Sequence, residues 1–193
     1  MLEPRLLADA IAENWSIWVV TVTLIVAAVI DGWKLKVPNY ITFPMIVSGW
    51  IYCTWTYGWE GLGWSLVGTV VGLALLLPPY AIGGMGAGDV KLLAGVGAWI
   101  GAGETGVQDL CYAFALSALI GAVIAIGMVL ARRKWGHHHA QFWSILNEVW
   151  TIRNPEQLAT IAAERKPTMM LLPYGIPIAI GTIVYFAWFG MLL

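Results

Sequence analysis

The chain has 193 residues, of which 60% are apolar and 11% charged, whereas a typical soluble domain is about 45–50% apolar and about 25% charged. Its 10 basic and 11 acidic side chains are too few to cover a globule of this composition in water, so a soluble protein is excluded and most of the chain is expected to lie in lipid. The net charge of -1 leaves no basic excess to neutralise phosphates, which excludes a nucleic-acid-binding protein that relies on bulk charge.

Six apolar stretches separated by charges or turn residues run through the chain. Each is close to the roughly 17–25 residues that a helix needs to cross a bilayer, and in chain order they cover 15–33, 39–57, 62–82, 89–103, 107–131 and 171–193. We therefore predict a single all-α integral membrane domain, 1–193, with about six transmembrane helices. The fourth span is short and follows a glycine-rich turn, so it is expected to begin below the membrane surface in a cavity lined by protein.

The basic residues orient these spans. With both termini outside, nine of the 10 basic residues fall on the cytoplasmic side, and only Arg5 lies across the membrane. Cytoplasmic segments of membrane proteins carry such an excess of Lys and Arg, which predicts an N-out, C-out topology. The nine cytoplasmic bases are Lys34, Lys36, Lys91, Arg132, Arg133, Lys134, Arg153, Arg165 and Lys166.

The longest polar segment, 132–170, is predicted to be a cytoplasmic loop. Within it, residues 141–150 place apolar side chains at helical spacing, which predicts an interfacial amphipathic helix. These apolar side chains are Phe142, Ile145, Leu146 and Val149.

Residues with metal-binding side chains do not group into a site. His137, His138 and His139 are consecutive, so their side chains do not converge on one ion. Cys53 and Cys111 lie in separate apolar stretches. The sequence therefore predicts neither a metal site nor a disulfide framework.

Two aspartates lie at the predicted cytoplasmic ends of spans with apolar or glycine-rich sequence leading into them. Asp31 follows IVAAVI, and Asp89 follows GGMGAG. An ionisable residue in a membrane segment is a functional-site hypothesis by default. The structural alternatives are that Asp31 lies at the membrane interface near Lys34 and that Asp89 only caps the fourth span.

A pair of carboxylates suits peptide hydrolysis. Two such groups at close range in a poorly solvated site share one proton. The ionised member accepts a proton from the attacking water, while the protonated member donates to the scissile carbonyl. Gly86 and Gly88 permit positive φ and leave room for a second backbone, for which a substrate strand is a candidate.

The sequence around each aspartate resembles one protein family. GAGD at 86–89 is followed by VKLLA, and Asp31 is followed by a short basic stretch and VPNYIT. Together these features resemble the type IV prepilin peptidases, which are GxGD aspartic intramembrane proteases, in the order and separation of the two aspartates. The resemblance covers about 15–131 and, more loosely, PYGIP at 173–177.

The resemblance implies a function. Asp31 and Asp89 are expected to be catalytic in an endopeptidase that cleaves the short basic leader of pilin-like precursors at the cytoplasmic face of the bacterial inner membrane. The implied partners are the prepilin, membrane lipid and pilus-assembly or secretion machinery, with no nucleic acid and no cofactor.

The chain departs from the bifunctional members of that family. Those members also methylate the cut pilin and carry paired CxxC motifs that bind zinc in a cytoplasmic insert. This sequence contains no CxxC, and only the five-residue loop 34–38 precedes the second span. It therefore resembles the short, peptidase-only branch of tight-adherence (Flp) pilus systems and archaeal preflagellin peptidases, from whose compact members the loop 132–170 differs.

Residues near the aspartates have predicted supporting roles. Lys91, Lys34 and Lys36 are expected first to orient the spans, with an interaction with a carboxylate or the substrate as the alternative for each. Pro38 and Asn39 are expected to fix the turn into the second span and so support Asp31.

The last and third spans contain further motif residues. Pro173 and Tyr174 begin the PYGIP element, in which Pro173 and Pro177 are expected to bend the span and free backbone groups for an extended substrate. Gly68 and Gly72, spaced by four, predict close helix packing.

Two other functions remain open at this stage. A small proton-coupled transporter would use the aspartates as a relay, and it predicts carboxylates nearer the bilayer midplane with a continuous polar path. A non-catalytic subunit of a pilus-assembly complex would tolerate the loss of either aspartate.

Overall fold

The computed structural model describes residues 14–81, 84–103, 105–131, 151 and 173–192, which form α-helices and the turns between them. The predicted all-α fold is confirmed for these residues, and the helices lie close to the predicted spans. The loop 132–170 apart from residue 151, including its predicted amphipathic helix at 141–150 and the histidines 137–139, lies outside the described residues. In chain order the helices are α1 (Trp15–Lys34), α2 (Asn39–Ala81), α3 (Ala87–Ile100), α4 (Gly106–Ala131) and α5 (Gly175–Trp188).

Helix α2 is broken at Gly58, where the backbone has φ 67 and ψ -153. The indole nitrogen of Trp50 donates a hydrogen bond to the hydroxyl of Thr69 at 2.9 Å, across 19 positions of sequence. In a continuous helix these residues would lie about 28 Å apart. The chain therefore folds back at Gly58 into two antiparallel arms, 39–57 and 59–81, as the boundary between the second and third predicted spans requires.

Helix α3 lies at the centre of the bundle and is buried along almost its whole length. Its contacts with the second arm of α2 depend on the absence of side chains, since a Cβ atom added at Gly68 would meet the backbone of Gly97. A Cβ atom at Gly72 would lie 2.8 Å from the Cα atom of Ala94. The predicted packing role of Gly68 and Gly72 is thus confirmed.

The C-terminal end of α3 is satisfied by side chains from α2. The last carbonyl groups of a helix have no partner within it, yet the Ala98 carbonyl accepts hydrogen bonds from the Ser65 hydroxyl at 2.5 Å and the Cys53 thiol at 3.3 Å. The indole of Trp99 in turn donates to the Met45 carbonyl at 2.9 Å. This short helix therefore ends inside protein, in keeping with its 14 residues.

The helix ends define two ends of the bundle. One end of the bundle, which we call the aspartate end, holds Asp31 in the last turn of α1, Asp89 in the first turn of α3 and Gly175 at the start of α5. The opposite end holds the aromatic cluster of Trp15, Tyr52 and Trp99, in which the Tyr52 ring centroid lies 5.1 Å from each of the other two. The alternation of helix ends agrees with a chain that runs back and forth between two surfaces.

The outer surface of the bundle is apolar. Val22, Ile51 and Val123 are 55%, 63% and 70% exposed, which is typical of side chains that face lipid. Among the described residues, α1, α2 and the part of α4 from Gly106 to Met128 are long and apolar enough to cross a membrane. The fold is thus compatible with a membrane protein, while the six crossings and their orientation stay predictions.

Candidate active site

Asp31 is buried at the aspartate end, with 2% of its surface exposed. Its Oδ2 atom accepts a hydrogen bond from the backbone N–H of Gly175 at 2.8 Å, between residues 144 positions apart in sequence. Gly175 is the first residue of α5, where helical N–H groups lack an intrahelical partner. The carboxylate of α1 thus occupies the N-terminal end of α5 instead of facing solvent or lipid.

Asp89 is buried as well, with 4% exposure, and is the third residue of α3. Its Oδ2 atom accepts a hydrogen bond from the backbone N–H of Gly86 at 3.0 Å. A carboxylate in the first turn also interacts favourably with the partial positive charge of a helix N-terminus. Asp89 therefore caps its own helix, as the structural alternative predicts, but the cap does not exclude a second role.

Both aspartates line the same pocket, which has a volume of about 410 Å³. The pocket lies between the connection from α1 to α2 and the glycine turn before α3. Besides the aspartates, its polar lining comes from Lys36, Asn39 and Lys91. Carboxylates from separate helices are therefore brought to one pocket, which is large enough to hold several water molecules.

The glycine turn before α3 differs from expectation in two respects. Gly86 has φ -85, and among the described residues only Gly58 and Gly190 are glycines with positive φ. The backbone that approaches Gly88 is that of Val37, since a Cβ atom there would overlap the Val37 carbonyl oxygen. Positive φ is therefore not needed at Gly86, and the space beside Gly88 is filled by the chain itself instead of by a substrate strand.

Lys91 is held at the edge of the pocket. Its ammonium group donates to the side-chain oxygen of Asn39 at 3.1 Å and lies 4.7 Å from the centre of the Phe43 ring. The Pro38 carbonyl accepts the N–H groups of Ile41 and of the next residue at the start of α2, while its predicted support of Asp31 stays a prediction. Asn39, however, bonds Lys91 and not the nearby backbone.

Lys34 is placed differently from the other predicted supporting residues. It is the last residue of α1 and is exposed. It is not among the residues that line the pocket, whereas Lys36 is. Its predicted role in orienting the spans is compatible with this exposure and stays a prediction.

The PYGIP element forms the start of α5 instead of a bend within it. Pro173 precedes the helix and its carbonyl accepts the N–H of Ile176 at 3.1 Å, while Pro177 lies in the first turn. Proline in the first turn removes an N–H that has no helical partner, so it does not distort the helix. The expectation of a bent last span is therefore wrong, and Tyr174 lies directly before Gly175, the donor to Asp31.

Two contributors to the site were missed from the sequence. The Gly175 N–H and the Val37 backbone act through main-chain atoms, which carry no signal in residue type. The glycine between Tyr174 and Ile176 was visible in the motif, but its partner lies 144 positions away.

Comparisons with known proteins identify the family of the chain. The model of the type IV leader peptidase family matches residues 18–126, a range that includes both aspartates and more than half of the chain. The chain belongs to this family. The range also includes the contacts of α3 with α2 described above.

Relatives in this family are named prepilin leader peptidase/N-methyltransferase. The protein of Aeromonas hydrophila is 31% identical over 144 residues, which are 69% of this chain and 47% of the relative. The protein of Neisseria gonorrhoeae is 35% identical over 129 residues, which are 63% of this chain and 42% of the relative. The chain thus spans less than half the length of the curated relatives it matches. No solved structure matches it.

Proposed function

We propose that this protein is an aspartic endopeptidase that removes the leader of type IV pilin-like precursors. The observation that carries the proposal is the burial of Asp31 and Asp89 on one pocket, from helices that are separate in sequence. Membership of the type IV leader peptidase family supports the same activity. In the proposed reaction both aspartates are catalytic and no cofactor takes part.

The chemistry follows from one proton shared between two carboxyl groups. The ionised carboxylate accepts a proton from water as its oxygen attacks the scissile carbonyl carbon, while the protonated one donates to the carbonyl oxygen. Collapse of the tetrahedral intermediate then breaks the C–N bond, and a proton passes to the leaving amine. The products are a carboxylate on the leader and a free amino group on the mature protein.

We propose that the aspartate end faces the cytoplasm of a bacterial cell and that the protein crosses the inner membrane six times. The support is the placement of nine of the 10 basic residues on that side in the N-out, C-out arrangement. The break at Gly58 supplies the extra turn that six crossings need. A basic leader would then remain in the cytoplasm while the apolar helix that follows it enters the membrane.

We further propose that the chain acts as a peptidase without methyl transfer. The support is the short connection between α1 and α2, Leu35 to Pro38, which leaves no room there for a zinc-binding insert. The proposed partners are a prepilin, membrane lipid and pilus-assembly or secretion machinery. Loop 132–170 is a candidate contact with that machinery.

The test is cleavage of a co-expressed prepilin by Asp31→Asn and Asp89→Asn variants at wild-type protein level. Each substitution keeps the shape of the side chain and removes the titratable carboxyl group, so we expect loss of processing on a gel that separates precursor from mature pilin. Asp109→Asn is the matched control, because Asp109 accepts a hydrogen bond from Tyr185 at the opposite end of the bundle.

Processing by either variant at the wild-type rate would refute the aspartic mechanism. A non-catalytic assembly subunit would leave the precursor uncleaved even by the wild-type protein. A transporter would instead lose proton flux in the same variants without any effect on a pilin band.

A further inference from the structure

The N-terminus of α5 contacts Asp31 in two independent ways. The Gly175 N–H donates to Oδ2 at 2.8 Å. The absence of a side chain at Gly175 matters as well, because a Cβ atom there would lie 2.9 Å from Oδ2 and 3.1 Å from Cγ of Asp31. The hydrogen bond and the close packing therefore both act on the carboxylate of Asp31, which is almost completely buried.

We propose that Gly175 is a positioning residue that fixes the Asp31 carboxylate for catalysis through its backbone N–H. This inference rests on the proposed peptidase function. With Oδ2 held by Gly175, rotation of the carboxylate is restricted, and Oδ1 is the oxygen left to share a proton or meet water. The last helix is then part of the active site, although it contributes no acidic or basic side chain there.

The same arrangement exists at the other aspartate. Oδ2 of Asp89 accepts the N–H of Gly86, again a glycine beside a helix N-terminus. A Cβ atom at Gly86 would lie 3.3 Å from that oxygen. Each carboxylate is thus oriented by a glycine amide that brings no side chain into the pocket, and a preorganised site of this kind loses little order when the substrate binds.

The contact is also held in place by packing between α1 and α5. A Cβ atom at Gly32, the residue after Asp31, would already touch the Ile176 side chain at 3.5 Å. The two helices are therefore close at the residues that follow the hydrogen-bonded pair. An added methyl group at position 175 would have to displace the carboxylate, since the backbone of α1 has little freedom to move.

Two substitutions of Gly175 separate the effect of its N–H donor from the effect of its missing side chain. Gly175→Ala adds a Cβ atom and keeps the donor, whereas Gly175→Pro adds the same Cβ atom and removes the donor. Proline is tolerated at the first position of a helix, but it disfavours the αR conformation that Tyr174 has before it, so the variant needs the stability control described below. Gly127→Ala is the matched control, since nothing lies within 4 Å of its added Cβ atom.

The experiment measures kcat and KM for a prepilin substrate with the purified full-length protein in detergent. A hydrogen bond to a charged group corresponds to a rate effect of about ten- to a hundredfold. We expect Gly175→Ala to lower kcat, Gly175→Pro to lower it at least a further tenfold, and KM to change little in both. Gly127→Ala should match the wild type.

Equal kcat values for the Ala and Pro variants would overturn the role of the N–H, and so would a change confined to KM. If the wild type cleaved no prepilin, the proposed function itself would fail, which is a different result. A melting-temperature cycle guards against simple misfolding: the Pro substitution should destabilise the wild type more than it destabilises Asp31→Ala, which has no carboxylate to hold. The same shift in both backgrounds would also overturn the inference.

Discussion

Replacement of Gly68 by alanine tests the close packing of α3 against the second arm of α2. The added Cβ atom would overlap the Gly97 carbonyl oxygen and lie 3.0 Å from the Gly101 Cα atom. Both neighbours are backbone atoms of a buried segment, so relief requires the helices to separate. Overpacking of this kind typically costs about 1–3 kcal/mol, which exceeds the gain of about 0.5–1 kcal/mol from replacing a helical glycine by alanine.

Gly63→Ala is the internal control for this prediction, because it lies on the same arm and nothing is within 4 Å of its added Cβ atom. Gly63→Ala should therefore gain stability from helix propensity alone. We expect the two variants to differ by about 1–3 kcal/mol, or about 2–12 °C in melting temperature. The assay is thermal unfolding in detergent followed by tryptophan fluorescence. If Gly68→Ala melted at or above Gly63→Ala, the proposed backbone contact between α2 and α3 would be refuted.

Three further predictions follow from other parts of the structure. Leu35→Gly should raise the melting temperature, because Leu35 ends α1 with φ 51, a left-handed conformation that costs a non-glycine residue about 1–2 kcal/mol; an unchanged or lower value would argue against strain there. Tyr185→Phe should cost about 1–3 kcal/mol in unfolding experiments by removing its 2.6 Å hydrogen bond to Asp109, yet leave prepilin cleavage unchanged. The kcat of cleavage should show a bell-shaped pH profile, falling at low pH when Asp31 and Asp89 are both protonated and at high pH when they lose the shared proton; a flat profile would contradict the paired mechanism.

The helices were predictable because membrane spans need long apolar stretches, and the few charges mark their ends. The turn between the second and third spans was expected between 57 and 62, and the break is at Gly58. The short fourth span was also expected, and α3 proved to be enclosed by protein. These features depend on local composition, which a single sequence records.

Contacts between distant backbones were not predictable in the same way. Nothing in the types of Asp31 and Gly175 indicates that they meet across 144 positions. The close approach of the Val37 backbone to Gly88 was equally unpredictable, so a substrate strand was the candidate for the space beside that glycine. The predicted bend at the prolines of the last span was wrong for a related reason. Proline bends the interior of a helix but is compatible with its first turn, and where a helix starts depends on tertiary packing.

The length of α3 sets a depth in the membrane. Its 14 residues span about 21 Å, whereas the hydrocarbon core is about 30 Å thick. If Trp99 lies at the outer interface, as the proposed orientation implies, the N-terminal end of α3 would lie about 9 Å short of the inner one. About six residues of a helical substrate would span that distance. In the proposed orientation, the length of α3 would therefore set how far from the membrane interface a transmembrane substrate is cut.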